Sequence, residues 1–86
     1  MGDYDLLIKG SAAKELRAIL STKDQQRIIG RIRGLAREPR PQGAHKLAGS
    51  ERYRIRQGDY RIVYGIDDAE RTIQVVKIGH RRDVYR

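Results

Sequence analysis

Between residues 52 and 64 the chain changes side with almost every residue. Tyr53 and Ile55 alternate with Arg52, Arg54 and Arg56; after Gly58-Asp59, Tyr60, Ile62, Tyr64 and Ile66 alternate with Arg61 and Val63. A period of two marks a strand with one buried face, because successive side chains point to opposite sides of a sheet. Two such runs parted by a two-residue Gly-Asp turn predict a tight hairpin. If the aliphatic sides meet the core together, Arg54, Arg56 and Arg61 project from the other face. Tyr53, Tyr60 and Tyr64 are then packing residues.

The remaining pattern supplies the layer that covers this hairpin. Residues 4–9 predict a first strand, with Tyr4, Leu6 and Ile8 on one face. Gly10 and Ser11 interrupt it, and Ser11 is placed to cap a helix. Ala12, Leu16, Ile19 and Leu20 recur at helical spacing, which leaves Lys14, Glu15 and Arg17 outward. Thr22 and Gln25 match a capping box, so a second helix starts near Lys23. Its apolar stripe is Ile28, Ile29, Ile32, Leu35 and Ala36, with Arg27, Arg31, Arg33 and Arg37 on a solvated side. Gly30 and Gly34 each cost about 1 kcal/mol against alanine inside a helix. Their spacing predicts that the two helices cross closely there. Pro39 ends the helix, because it lacks a donor and restricts the residue before it.

Residues 39–50 read as a loop, anchored by Leu47, in which His45 is incidental. Residues 67–70 form a polar turn, and 71–79 a last strand. Ile73, Val75, Val76 and Ile78 place apolar groups on both its faces, as a central strand requires. The expected architecture is α+β: two N-terminal helices on one face of a small antiparallel sheet, in the order β-α-α-β-β-β. With 86 residues it is a single domain, 1–86, burying only ~60% of its unfolded surface.

Charge changes the picture most. The formal net charge is +8, carried by 14 arginines and only 5 lysines against 11 acidic residues. Arginine presents a planar donor fork that grips phosphate in two places, so the bias points to nucleic acid or an acidic partner. Residues 27–61 hold ten Lys or Arg against Glu38, Glu51 and Asp59. A membrane-surface protein would carry its basic residues on a helix with bulky apolar groups opposite. Here they lie on strands as well, so no membrane partner is expected. There is no cysteine, only two histidines, and no acidic spacing that gathers ligands on one ion. The expectation is therefore no metal and no cofactor. No apolar run approaches the ~18–20 residues of a membrane span, and the N-terminus lacks a signal-peptide pattern. A cytoplasmic protein is expected.

The element order resembles the RelE/ParE superfamily of toxins from bacterial and archaeal toxin–antitoxin pairs. The residues that carry this likeness are Leu47-Ala48-Gly49, Tyr53-Arg54-Ile55-Arg56, Asp59 through Tyr64, and Gly79-His80-Arg81-Arg82-Asp83-Val84-Tyr85. The basic tail ending in tyrosine is similar to the RelE branch. That resemblance implies a ribosome-dependent endoribonuclease that cuts mRNA in the A site without a metal, the ribose 2′-hydroxyl attacking the adjacent phosphate. It also implies an acidic antitoxin and the ribosome with its mRNA as partners.

Carried over by position, Arg54 and Arg56 contact the RNA backbone and Arg61 stabilises the crowded phosphate. Arg81 stands near the leaving group, and Tyr85 stacks on or activates the reacting nucleotide. Arg52, Lys46, Lys77, His80 and Arg82 complete the expected RNA-binding set. Arginine cannot act as a base near neutrality. That leaves Tyr85 and His80 as the open choices for moving protons. Strict alternation sends His80 and Arg81 to opposite faces unless Gly79 breaks the strand, and Arg81 is favoured for the site. Two alternatives stand beside the nuclease: a ParE-like gyrase inhibitor of the same fold, and a non-catalytic nucleic-acid-binding module.

Overall fold

The hairpin is the centre of the sheet. In a computed structural model describing residues 3–80, β3 (Arg52–Gln57) and β4 (Tyr60–Asp67) pair antiparallel, with Gln57 opposite Tyr60 across the turn. Gly58 has φ +60° in the first central position, where a type II′ turn needs glycine. Before the hairpin come β1 (Asp5–Ile8), α1 (Gly10–Arg17), α2 (Thr22–Arg37) and β2 (His45–Lys46); β5 (Thr72–His80) follows it. The sheet order is β1-β5-β4-β3-β2.

The α+β architecture of two helices on a sheet is as expected, with two additions to the sheet. β1 pairs in parallel with β5, from Asp5 opposite Thr72 to Ile8 opposite Val75. The loop at residues 39–50 contains β2, two residues long and paired to β3. That is too short for periodicity to reveal.

The core lies between the helices and one face of the sheet. Ala12 of α1 and Ile28, Ile32 and Leu35 of α2 meet Ile55, Ile62, Tyr64, Ile73, Val75 and Ile78. Buried Ile73, Val75 and Ile78 do not follow a strict period of two. Val63 faces Lys77 while Tyr64 faces Val75, so Val76 is the extra residue of a bulge. The bulge changes parity and returns Ile78 to the helix side. β5 is an interior strand, between β1 and β4, as expected, and the bulge is what sets apolar residues at consecutive positions.

Several local expectations are corrected. α1 begins at Gly10 with Lys9 at its cap, and no side chain caps it, so Ser11 sits inside the first turn. α2 is capped by Ser21, one residue before Thr22, through Oγ accepting from the Asp24 amide at 3.2 Å. Gln25 turns away from the cap. Its Nε2 donates to the carbonyls of Ile19 (2.7 Å) and Leu16 (3.3 Å), satisfying acceptors left over at the end of α1. Because α1 stops at Arg17, Leu20 leaves the apolar stripe and is fully exposed. Gly30 and Gly34 face open space: a Cβ at either would meet nothing within 4 Å, so no close crossing occurs there. Ala44, not Leu47, packs against the core; half-buried Leu47 holds the loop by donating its amide to the Arg52 carbonyl at 2.8 Å. No helix among the described residues is long and apolar enough to cross a membrane.

Candidate nucleic-acid interface

Parity in the hairpin decides which side chains share the sheet face turned away from the helices. Arg56 lies directly opposite Arg61, and Arg54 opposite Val63. With their neighbours Tyr53, Ile55 and Ile62 committed to the core side, the three arginines share the outer face. β2 extends this face by one residue, because His45 pairs with Arg54. Gly43, with φ +96°, turns the chain into β2. Together Gly43, His45, Arg54, Arg56 and Arg61 line a cleft of about 330 Å³, within the range of ligand sites.

None of these lining residues is acidic. Like charges directly opposite on neighbouring strands repel, and an anion bound between Arg56 and Arg61 would ease that repulsion. Arg54 and Arg61 are half-buried, which restricts them, while exposed Arg56 bends over the turn to donate from Nε to the Gly58 carbonyl at 3.0 Å. Fixed guanidiniums on a rigid hairpin are the arrangement that holds a phosphodiester and stabilises added negative charge on it.

The other expected site residues are distributed differently. Arg52 shares the outer face but stands farther along, opposite Gly65. Lys46 pairs in register with Tyr53, so it points to the helix side, where its Nζ meets Glu51 at 3.8 Å. Lys77 is tied to α1 by an ion pair with Glu15 at 3.2 Å. The other oxygen of that carboxylate accepts the Ile78 amide at 3.0 Å. β5 runs unbroken through Gly79, and His80 faces Tyr60 on the helix side, edge-to-face at 5.7 Å. Lys46, Lys77 and His80 therefore do not line the arginine cleft. Arg81, Arg82 and Tyr85 lie outside the described residues.

His45 is the lining residue that sequence reasoning passed over. A parity argument applied to His45-Lys46 would have shown that the two side chains must part, but nothing marked that dipeptide as a strand. Arg31 also departs from its expected solvated face. It is half-buried and reaches behind the cleft loop, with Nη2 3.8 Å from where a Cβ on Gly43 would stand. Arg33 and Arg37 are exposed.

A second arginine cluster lies on the helix side, between the loop after α2 and the β4–β5 turn. Arg40 Nη2 pairs with Asp68 Oδ2 at 2.9 Å, and its Nε donates to the Tyr53 hydroxyl at 3.1 Å. Tyr4 donates its hydroxyl to Asp68 Oδ1 at 2.6 Å. Hydrogen bonds from Arg40 and then Tyr4 hold the Asp68 carboxyl below the usual carboxylate range. Beside it, the Tyr64 hydroxyl donates to the Pro39 carbonyl at 2.7 Å. Burial, followed by the Tyr53 neighbour, pushes that hydroxyl up to about 12.

A family model described as the ParE toxin of the type II toxin–antitoxin system, parDE, matches residues 6–85. The chain belongs to the RelE/ParE superfamily of type II toxins. The toxin is 40% identical over 55 residues to Toxin RelG of Mycobacterium tuberculosis (strain ATCC 25618 / H37Rv), across 60% of this chain and 61% of that protein. The match thus spans about three-fifths of the curated relative. A chain of the archaeal RelE–RelB complex from Pyrococcus horikoshii OT3 superposes with a TM-score of 0.83 at 26% identity, covering 94% of the toxin and 98% of that chain. The isolated RelE toxin of E. coli gives 0.78 at 26% identity, over 95% and 90% respectively. Among the described residues, no three His, Cys, Asp or Glu side chains gather as a metal would need.

Proposed function

We propose that this toxin is an endoribonuclease of the RelE type, cutting mRNA on the ribosome and restrained by an acidic antitoxin. The observation that carries this reading is the convergence of Arg54, Arg56 and Arg61 on one outward cleft without an acidic lining residue. A phosphodiester held there gains negative charge as the ribose 2′-oxygen bonds to phosphorus and the bond to the 5′-oxygen breaks. Donors already fixed around the phosphate stabilise that charge more than they stabilise the ground state, and one such donor is typically worth ~10²–10³ in rate. Arg61, half-buried on β4, the middle strand of the sheet, is assigned to the phosphate; Arg54 and Arg56 hold the flanking backbone. The roles implied for Arg81, near the leaving group, and Tyr85, on the reacting nucleotide, belong to the same proposal. No metal or other cofactor takes part in it.

The partner side follows from charge. A net charge of +8 favours an acidic antitoxin segment laid over the cleft, and ribosomal RNA as the docking surface in its absence. RelE of Pyrococcus horikoshii is seen with RelB, which supports the same kind of assembly for this chain. Primer extension on mRNA from cells making the wild-type toxin tests the reading. Cuts should fall within translated codons and disappear in Arg61→Ala and Arg81→Ala variants that still fold.

The matching family model bears the ParE description, and this favours one second reading, a gyrase inhibitor of the same fold. Inhibition of DNA supercoiling by the purified toxin, with cellular mRNA left whole, would select it.

A further inference from the structure

The arginine cleft has abundant positive charge but, on its arginines, no group able to take up a proton near neutral pH. Guanidinium keeps its proton throughout the physiological range. His80, one of the expected proton carriers, stands on the opposite side of the sheet beside Tyr60. His45, by contrast, is in the cleft with Arg54, Arg56 and Arg61. Imidazole is the side chain that exchanges a proton in this range.

The chain is held on both sides of His45. Ala44 packs against the core, and its amide donates to the Pro41 carbonyl at 3.0 Å. On the far side of β2, the Leu47 amide donates to the Arg52 carbonyl at 2.8 Å. Behind the turn, Arg31 Nη2 lies 3.8 Å from where a Cβ on Gly43 would stand. A two-residue strand held this firmly contributes little to the sheet. Its effect is to set one imidazole beside Arg54, at the rim of the cleft.

We infer that His45 is a catalytic residue of this toxin, the general base that takes the proton of the attacking 2′-hydroxyl. The inference rests on the nuclease reading above and deepens it. The neutral imidazole removes the 2′ proton as the 2′-oxygen bonds to phosphorus. The bond from phosphorus to the 5′-oxygen breaks, its electron pair leaving on that oxygen, which takes a proton from water. The hydroxide so formed recovers the proton held by the imidazolium. The products are a 2′,3′-cyclic phosphate and a 5′-hydroxyl, and His45 returns to its neutral form. The charged groups facing it are Arg54 and Arg56 of β3, Arg61 of β4 and, behind Gly43, Arg31 of α2, all guanidiniums whose charge is constant across the pH range of the test.

The test is single-turnover cleavage of ribosome-bound mRNA by purified wild-type, His45→Gln and His45→Ala toxins between about pH 5 and 8. Melting curves establish that each variant is folded. The inference predicts a wild-type rate that rises with pH through the histidine range, and a fall of about 10²–10⁴-fold in both variants. The variants should lose that rising limb, and added imidazole should restore part of the rate in His45→Ala. A folded His45→Gln toxin that cuts as fast as wild type, with the same pH profile, overturns the role of His45 and leaves the nuclease reading standing. A wild-type toxin that leaves ribosome-bound mRNA whole overturns the nuclease reading, and the role of His45 with it.

Discussion

Two arginine clusters in this toxin are built from the same side chain and use it in opposite ways. Around Arg40 the guanidinium meets the Asp68 carboxylate at 2.9 Å, and the tyrosine hydroxyls of Tyr4 and Tyr53 complete the cluster. Those contacts tie Tyr4, just before β1, to the loop after α2, to β3 and to the β4–β5 turn. In the cleft, Arg56 stands opposite Arg61 with no acidic lining residue. The first arrangement satisfies its charge within the fold. The second presents its charge outward, at a cost in repulsion that a bound phosphate would relieve. The Arg40 charge is matched by an acidic side chain, whereas the cleft arginines share a face open to an external anion. Substitutions in the two places should therefore be felt in different measurements.

The largest expected effect is in the cleft. Arg61→Ala should lower the rate of mRNA cleavage by about 10²–10³-fold, in a variant whose melting curve shows that it still folds. A variant that loses stability but keeps its cleavage rate would break the comparison.

Tyr64→Phe belongs to the other cluster and should do the reverse. It leaves the part-buried Pro39 carbonyl without its donor, a loss of about 0.5–1.5 kcal/mol in denaturant unfolding, with catalysis retained in the folded fraction. The pH sign is also defined. Burial holds the folded Tyr64 hydroxyl up to about 12, above an ordinary value of about 10. Its contribution is whole below pH about 10 and is lost as pH rises towards 12, so the alkaline unfolding limb should flatten in Tyr64→Phe.

Gly30→Ala touches neither cluster. A Cβ there meets nothing within 4 Å in the middle of α2, so the variant should be more stable by about 0.5–1 kcal/mol, with unchanged cleavage. The smallest effect is expected from Asp68→Asn, because Arg40 and Asp68 are about half-exposed, at 47% and 56%. The Asp68 carboxyl is held below its usual range by Arg40 first and Tyr4 second. Its contribution is present above pH about 4 and lost as pH falls through the lower folded value. Acid titration of stability should show a shallower fall in Asp68→Asn than in the wild-type toxin.

How much of this was legible beforehand depended on whether a single local period governed the residue. Arg54, Arg56 and Arg61 could be placed on one face because their strands are long enough to alternate and because tyrosine and isoleucine mark the buried side. The apolar stripe of α2 was legible for the same reason. His45 was not, since a two-residue strand has no period and its membership in the sheet is decided by pairing with Arg54. Val76 defeated the pattern in β5 because a bulge is a relation between two strands, invisible in one. Gln25 matched a capping box with Thr22, but Ser21 caps the helix one residue earlier and Gln25 reaches the carbonyls of Leu16 and Ile19 instead. Asp68 and Arg40 are 28 residues apart, and nothing local to either announces their pairing.

The most direct measurement is the cleavage of mRNA on programmed ribosomes by wild-type toxin and by a charge-preserving Arg61→Lys variant, with ribosome binding followed in parallel. If the cleft stabilises a phosphodiester in its transition state, Arg61→Lys should bind ribosomes as the wild type does and cut far more slowly, because lysine keeps the charge but loses the planar fork. Equal cutting by the two proteins, or no cutting by the wild type, would contradict the account.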